Sequence, residues 1–91
     1  MKILIADDDP LDRLLLETML ANWGYEPVVC SDGNEAWREL QRPEAPELAV
    51  LDWMMPGLDG PEVCRRVREK SDPRPVYLIL LTSKSASGNI V

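Results

Sequence analysis

The sequence predicts an α/β fold in which a parallel, doubly wound sheet carries helices on its faces. Short apolar runs rich in branched residues alternate with segments whose apolar residues recur at helical spacing. Two of the runs end directly on aspartate. The chain has 91 residues, enough for one domain with a modest core. The predicted strands are Ile3–Ala6, Pro27–Cys30, Leu48–Leu51 and Val76–Leu81.

The first strand and helix are predicted from residues 3–24. The apolar run from Ile3 is stopped by three aspartates, which is typical of a strand buried on both faces. Asp9 and Pro10 are an N-cap and a first-turn residue, and Gly24 is placed to end the helix in the left-handed conformation. The spacing of its apolar residues predicts an inner face made of Leu11, Leu14, Leu15, Met19 and Trp23.

The second strand is followed by a turn and a second helix. Ser31-Asp32-Gly33 predicts the turn. Pro43 and Pro46 end the helical pattern. The inner face of this helix is predicted to contain Ala36, Trp37 and Leu40.

The third strand runs into Asp52 and then into a loop over residues 54–60 that contains Pro56, Gly57 and Gly60. A third helix is predicted to start near Pro61 and to stop at Asp72-Pro73. Its inward side chains are predicted to be Val63, Cys64 and Val67. The fourth strand is the most apolar run of the chain, and Thr82 follows it.

Composition excludes several classes of protein. The net charge of −6 disfavours direct nucleic-acid binding. The chain has no histidine, the commonest zinc ligand and general base. Neither a membrane span nor a signal peptide is indicated. Cys30 and Cys64 match no metal-binding spacing and indicate small, partly buried side chains in a reducing cytoplasm.

Polar residues at the strand ends predict a site. In parallel sheets, ligands bind beyond the carboxyl ends of the strands. Asp7 and Asp8 follow the first strand, Asp52 the third and Thr82 the fourth, so all four are expected along one edge. Converging carboxylates repel each other unless solvent, protonation or a cation offsets the repulsion. Mg²⁺ fits best, and such a site supports phosphoryl transfer to an aspartate nucleophile.

Each feature also has an ordinary structural explanation. Asp7-Asp8-Asp9 alone is typical of a solvated loop with a capping residue. Asp52 before a Pro-Gly loop is compatible with a turn residue. Thr82 alone is a strand-end hydroxyl with no role. The functional interpretation depends on these residues occurring together at the same ends of alternating strands.

Three segments resemble bacterial response-regulator receiver domains. "KILIADDDP" is similar to their first strand and acidic turn. "LAVLDWMMPGLDGPEVCRRVR" is similar to their third strand, phosphoacceptor loop and third helix, and "VYLILLTS" to their fourth strand with its switch hydroxyl. The resemblance covers essentially all of the chain and implies a flavodoxin-like receiver fold with strand order 2-1-3-4, without the family's fifth βα unit.

The resemblance also implies residue roles. Asp52 matches the phosphoacceptor and a metal ligand, and Asp8 a direct ligand of Mg²⁺. Asp7 matches a ligand that usually acts through water, and the Met54 backbone carbonyl matches a further ligand. Thr82 matches the switch hydroxyl.

Other implied features concern access and partners. Ser83 matches the small residue that keeps the phosphoryl group accessible, and Pro56 and Gly60 shape the loop. The phosphoryl donor would be a phosphohistidine on a sensor histidine kinase or histidine phosphotransfer protein. Met54 and Lys84, two residues after Asp52 and Thr82, have no carboxylate or amide to orient a water, so slow self-dephosphorylation is expected.

The chain departs from the family pattern at its C-terminus. It stops at Val91, early in the expected fourth helix, and lacks the family's fifth-strand lysine and aromatic switch residue. The expectation is an incomplete receiver domain over residues 1–91. An uncovered fourth strand is expected to drive homo-oligomerisation. The side chains expected there are Val76, Leu78 and Leu80.

Two other functions compete with a phosphoacceptor. A haloacid-dehalogenase-type phosphatase would need an aspartate two residues after Asp52, where this chain has Met54. A phosphorylation-incompetent receiver fragment, acting as a binding or dimerisation module, is the stronger alternative because the lysine is absent. The sequence therefore predicts a cytoplasmic two-component signalling module that is not an enzyme on external substrates.

Overall fold

The computed structural model describes residues 1–70 and 75–81. These residues contain one four-stranded parallel sheet and three helices. The elements in chain order are β1 Lys2–Ala6, α1 Pro10–Asn22, β2 Glu26–Cys30, α2 Gly33–Leu40, β3 Leu48–Asp52, α3 Gly60–Glu69 and β4 Tyr77–Leu81. The predicted α/β class is confirmed, and the elements lie within a few residues of their predicted bounds.

The sheet order is β2-β1-β3-β4, with every neighbouring pair parallel. It matches the order implied by the resemblance. In the register, Ala6 pairs with Cys30 on one side and with Leu51 on the other. The carboxyl ends of β1, β2 and β3 therefore lie side by side, and the residues that follow them emerge at one edge of the sheet.

Two hydrophobic cores cover the two faces of the sheet. Residues of β1 alternate between them, as the two-residue period of a strand requires. Ile3 and Ile5 pack with Leu20 of α1 on one face. Leu4 and Ala6 pack on the other face with residues of α2 and α3. The buried members of this second core are Leu4, Ala6, Cys30, Ala36, Leu40, Ala49, Leu51, Met55 and Val63.

The predicted inner face of α1 is wrong. The buried and half-buried apolar residues of α1 are Leu20 and Leu16. Leu14, Leu15 and Leu16 are consecutive, so helical spacing alone fits more than one face of this helix. The five residues that we predicted to point inward are all exposed, at 62% for Leu11, 57% for Leu14, 58% for Leu15, 42% for Met19 and 67% for Trp23.

The predicted ends of α1 are confirmed. Asp9 is the N-cap, and its carboxylate accepts a hydrogen bond from the Leu11 amide at 2.9 Å. At the other end, Gly24 has a φ of +95°. The amides of Gly24 and Tyr25 donate to carbonyl oxygens of the last helical turn. These contacts fix where α1 leaves the acidic turn and where β2 begins.

β4 is less covered than its apolar sequence suggests. It pairs with β3, and in the described ranges 1–70 and 75–81 no strand lies on its other side. Val76, Leu78 and Leu80 are half-buried against the α2–α3 core. The exposed side chains are Tyr77 and Ile79, at 61% and 51%. Val76, Leu78 and Leu80, which were predicted to drive self-association, therefore point towards the core. The residues between them, Tyr77 and Ile79, are the ones exposed to solvent.

Some predictions fall on residues that the structure does not describe. The helix stop at Asp72-Pro73 lies in the undescribed range 71–74. Thr82, Ser83 and Lys84 lie in the undescribed range 82–91, as does the expected start of a fourth helix. In the described part of the chain, no helix is long and apolar enough to cross a lipid bilayer.

Candidate functional site

Three carboxylates meet at the carboxyl edge of the sheet. Asp7, Asp8 and Asp52 each offer one oxygen, and the three oxygens lie within 4.8 Å of one another. Asp52 is fully buried and Asp7 is 1% exposed, whereas Asp8 is not buried. The pairing of β1 with β3 places Asp7 and Asp52 at adjacent strand ends. We call these three residues the acidic cluster.

The acidic turn after β1 is held by hydrogen bonds that the sequence did not predict. The Asp9 amide donates to Asp7 Oδ1 at 2.9 Å. Arg13, on the first turn of α1, donates from Nη1 to the backbone carbonyl oxygen of Asp7 at 2.9 Å. The Asp7 amide donates to the Cys30 carbonyl oxygen at 3.3 Å. Arg13 was missed because a lone arginine on a helix gives no sequence signal of this backbone contact.

The backbone at the end of β3 is held by hydrogen bonds to β4 and to the start of α3. The amide of Trp53 donates to the Leu81 carbonyl oxygen at 2.8 Å, which continues the β3–β4 pairing one residue beyond Asp52. The Gly60 amide donates to the Trp53 carbonyl oxygen at 3.0 Å. Asp52 therefore sits on a backbone held by β4 and by the start of α3.

Residues 53–59 form a loop between β3 and α3, which we call the acceptor loop. Met55 is buried in the α2–α3 core, and Leu58 is half-buried against it. The side chains of Trp53 and Met54 are exposed, at 45% and 62%. Asp59 caps α3 by accepting from the Glu62 amide at 2.9 Å. The acceptor loop is thus anchored by two apolar side chains while its other side chains face solvent.

The donor set fits a hard divalent cation. Carboxylate oxygens are ligands that Mg²⁺ prefers, and one or two carboxylates with water complete many Mg²⁺ sites. Two of the three carboxylates are buried, so bulk water screens their mutual repulsion poorly. The more exposed Asp8 leaves a side of the cluster open to solvent and to a ligand.

The predicted site residues divide into two groups. The structure brings together Asp7, Asp8 and Asp52, and it places Met54 in the acceptor loop two residues after Asp52. Thr82 and Ser83 lie outside the described residues. The roles of all six residues stay predictions.

Cys30 lies directly behind the acidic turn. It is 1% exposed, and burial, with a further contribution from Glu35, raises the pKa of its thiol to about 12. Cys64 is half-buried, and burial also raises the pKa of its thiol. Both are free cysteines that stay protonated at neutral pH, as the sequence suggested for small core residues.

Comparison with known proteins identifies the family. The family model for the response regulator receiver domain matches residues 3–91. The chain belongs to the response-regulator receiver family. The match covers nearly the whole chain, including the acidic cluster and the acceptor loop.

A curated relative and two solved structures illustrate the similarity. The probable transcriptional regulator ycf27 of Porphyridium aerugineum is 46% identical over 84 residues, which are 92% of this chain and 33% of that protein. The receiver domain of the Pseudomonas aeruginosa sensor histidine kinase PA1611 was solved with a magnesium ion coordinated in its active-site cleft. It has a TM-score of 0.82 and 31% identity over 96% of this chain and 70% of that one.

The second structure is the response regulator TrrA of Thermotoga maritima in complex with Mg²⁺-BeF. Its TM-score is 0.76 and its identity 33%, over 97% of this chain and 76% of that one. The chain spans about one third of the length of the curated relatives that it matches. The comparisons thus show the family and the receiver fold.

Proposed function

We propose that this receiver domain accepts a phosphoryl group on Asp52 from a phosphohistidine of a sensor histidine kinase or histidine phosphotransfer protein. The observation that carries the proposal is the convergence of the three carboxylates, two of them buried, at the carboxyl edge of the sheet. A buried carboxylate that is fixed by its backbone is a suitable nucleophile for an aspartyl phosphate.

The metal ligands proposed for Mg²⁺ are Asp7, Asp8, Asp52 and the backbone carbonyl of Met54. Bound Mg²⁺ would offset the carboxylate charge and the charge on the phosphoryl oxygens. Relatives of similar fold support this choice, since PA1611 and TrrA were both solved with magnesium. Asp7 is held in place by the Asp9 amide, so its carboxylate is oriented before any ligand arrives.

The proposed reaction is a direct displacement at phosphorus. An Asp52 carboxylate oxygen attacks the phosphorus atom, a P–O bond forms, and the P–N bond to the donor imidazole breaks. The imidazole nitrogen leaves with the electron pair and takes up a proton. We propose that the Thr82 hydroxyl then donates a hydrogen bond to a phosphoryl oxygen. We also propose that Ser83, being small, keeps the phosphoryl group accessible.

Loading with a small phosphodonor tests the proposal. The 91-residue chain is incubated with acetyl phosphate and Mg²⁺, and intact mass is measured. One phosphoryl adduct is expected on the wild type and none on Asp52→Asn or in excess EDTA. Glu44→Gln, which removes an exposed acid outside the cluster, serves as the matched control and is expected to load normally. A wild type that never gains the adduct would favour the phosphorylation-incompetent alternative.

A second proposal is self-association through β4. The outer edge of this strand is unpaired within the described ranges, and such edges template pairing with another chain. Tyr77 and Ile79 add exposed apolar surface beside it. Light scattering of the purified chain should show a dimer that dissociates on dilution. Ile79→Lys should weaken it and Leu14→Lys should not, and a wild type that stays monomeric at every concentration contradicts the proposal.

The cellular setting is proposed from the family and the relatives. We propose a cytoplasmic receiver that signals through its phosphorylation state and has no activity on external substrates. The relative from Porphyridium aerugineum carries the name of a probable transcriptional regulator. We therefore propose that this domain controls such an output in the protein that contains it, while the domain, with a charge of −6, does not itself bind nucleic acid.

A further inference from the structure

The first turn of α2 is packed unusually tightly against the acceptor loop. The Gly33 amide donates to the Pro56 carbonyl oxygen at 3.4 Å. A Cβ atom added at Gly33 would overlap the backbone carbonyl oxygen of Leu58 and lie only 2.5 Å from its carbonyl carbon. No side chain larger than hydrogen fits there without displacing backbone.

A second contact joins the same two segments. Gly57 has a φ of +76°, and a Cβ added there would overlap the side-chain amide of Asn34. Asn34 is the residue after Gly33, so two consecutive residues of α2 contact two different positions in the acceptor loop. Each contact requires a glycine, because a Cβ at residue 33 or 57 would overlap the atoms on the opposite segment.

The first turn of α2 is itself rigidly placed. Asp32 caps the helix by accepting from the Glu35 amide at 2.8 Å. The Glu35 carboxylate in turn accepts from the Ser31 amide at 2.6 Å. Ala36, on the next turn, is fully buried in the core. A fixed helix start is a rigid surface against which a loop can rest.

The opposite end of the acceptor loop is equally constrained. A Cβ added at Gly60 would lie 2.5 Å from the Asp52 carbonyl oxygen and 2.7 Å from Leu80 Cδ2. The loop is therefore held between the start of α2 and the start of α3. Its backbone between these contacts includes Met54, whose carbonyl we propose as a metal ligand.

We infer that Gly33 and Asn34 are positioning residues that set the Mg²⁺ affinity of the acidic cluster by fixing the acceptor loop, although neither residue offers a ligand. The inference rests on the proposed function, because it concerns the same metal site. Groups that orient metal ligands from outside the coordination sphere change metal affinity by about 10- to 100-fold when they are removed. A side chain introduced at residue 33 would displace the acceptor loop and is expected to lower the Mg²⁺ affinity in the same way.

Mg²⁺ titration of Gly33→Ala tests the inference. Binding is measured by calorimetry on the 91-residue chain, and we expect the Mg²⁺ dissociation constant to rise about tenfold. In metal-free protein, we expect faster hydrogen exchange at the Gly60 amide, which donates to the Trp53 carbonyl oxygen across the loop. This second readout reports loop position without any metal or phosphoryl group.

Gly24→Ala is the matched control. Gly24 also has positive φ, +95°, but a Cβ added there meets nothing within 4 Å. The control therefore strains the backbone and lowers the thermal midpoint, yet it leaves the acceptor loop untouched. Its Mg²⁺ affinity should match that of the wild type. The hydrogen-exchange rate of its Gly60 amide should also match, once the rate is corrected for the change in global stability. Equal losses of affinity in both glycine variants would mean that general destabilisation is the cause, which overturns the inference.

Asn34→Ala keeps the inference falsifiable if Gly33→Ala does not fold. Asn34 is exposed, and alanine is favourable in a helix, so this variant should fold normally. We expect a rise in the Mg²⁺ dissociation constant that is smaller than the rise for Gly33→Ala, because no backbone is displaced. An unchanged constant in a well-folded variant overturns the inference alone. A wild type that binds no Mg²⁺ overturns the proposed function and this inference together.

Discussion

The carboxylates of Asp7 and Asp52 each provide an oxygen to a cluster no more than 4.8 Å across, although both side chains are buried. Their backbones are neighbours in the sheet, because Ala6 pairs with Leu51 and the two aspartates follow these residues. The pairing of β1 with β3 therefore holds the backbones of the two aspartates side by side. The parallel sheet thus brings together two carboxylates whose charges repel each other.

Removing one of these charges is expected to stabilise the metal-free protein. Asp52→Asn keeps the size of the side chain and relieves repulsion from two neighbouring carboxylates. In EDTA, urea denaturation should show a gain on the order of 1–3 kcal/mol in the free energy of unfolding. Glu44→Gln should stay within about 0.5 kcal/mol of the wild type, as surface substitutions usually do.

Mg²⁺ should narrow the difference in the free energy of unfolding between the two proteins. At a Mg²⁺ concentration ten times the dissociation constant, the wild type gains about 1.4 kcal/mol from binding to the folded state. Asp52→Asn should gain much less, because one proposed ligand has lost its charge. An Asp52→Asn protein that is less stable than the wild type in EDTA would show that repulsion within the cluster is already neutralised.

The buried thiol of Cys30 predicts a loss of stability at alkaline pH. Its folded-state pKa is raised from 9.0 to about 12, mainly by burial. Above about pH 9 the thiol ionises in the unfolded chain but stays protonated in the folded one, which favours unfolding. The contribution of this group to stability is therefore complete below pH 9 and is lost as the pH rises towards 12.

The measurement compares the wild type with Cys30→Ala in urea at several pH values. Tyrosines and lysines titrate in both proteins, so the difference between the two slopes isolates Cys30. We expect a steeper decline for the wild type between pH 9 and 11. Parallel declines would mean that Cys30 ionises as easily in the folded protein as in the unfolded chain.

The site was predicted mainly from the residues at the ends of the strands. Asp7 and Asp52 could be placed together from sequence because parallel strands end at one edge, whatever the details of packing. Gly33 could not be assigned in this way. It was predicted to be a turn residue, whereas it starts α2 and contacts Leu58, which lies far along the chain. Only the three-dimensional packing reveals why glycine is needed there.

Helix faces were predicted less well than strand ends. In α2 and α3 most predicted residues point inward: Ala36, Leu40 and Val63 are buried, and Cys64 and Val67 are half-buried against the same core. Trp37, which was also predicted to be inward, is half-buried, and its ring lies beside Arg66 and Lys70. In α1 the predicted residues do not point inward, because this helix has leucines on several sides, and the sheet selects only the side containing Leu16 and Leu20. Helical periodicity identifies a face only when the other faces are polar.

Paired substitutions in α1 test which face is inward. Leu20→Ala should cost about 2–4 kcal/mol of the free energy of unfolding, since it leaves a cavity beside Ile3 and Ile5. Leu15→Ala should cost less than about 0.5 kcal/mol, because the side chain is 58% exposed and alanine favours the helix. Chemical denaturation of both variants, with unchanged m-values, gives the comparison. Equal costs would indicate that another part of the protein or a second chain covers Leu15.

Met54 is expected to prolong the aspartyl phosphate. Its side chain is 62% exposed in the acceptor loop, two residues after Asp52, and a thioether cannot orient or deprotonate a water molecule. Hydrolysis of the phosphoryl group then depends on an unassisted water. After loading with acetyl phosphate and removal of the donor, the wild-type adduct should decay slowly, as followed by intact mass.

Met54→Glu introduces a carboxylate at this position and should shorten the lifetime of the adduct. A positioned general base accelerates such steps by about 10²–10⁴-fold, and an exposed, mobile one by less, so we expect about tenfold. Met54→Leu preserves the apolar character and is the matched control, with an expected lifetime within about twofold of the wild type, since neither side chain can act as a base. Equal decay in the glutamate and leucine variants would show that water reaches Asp52 by a path that residue 54 does not border.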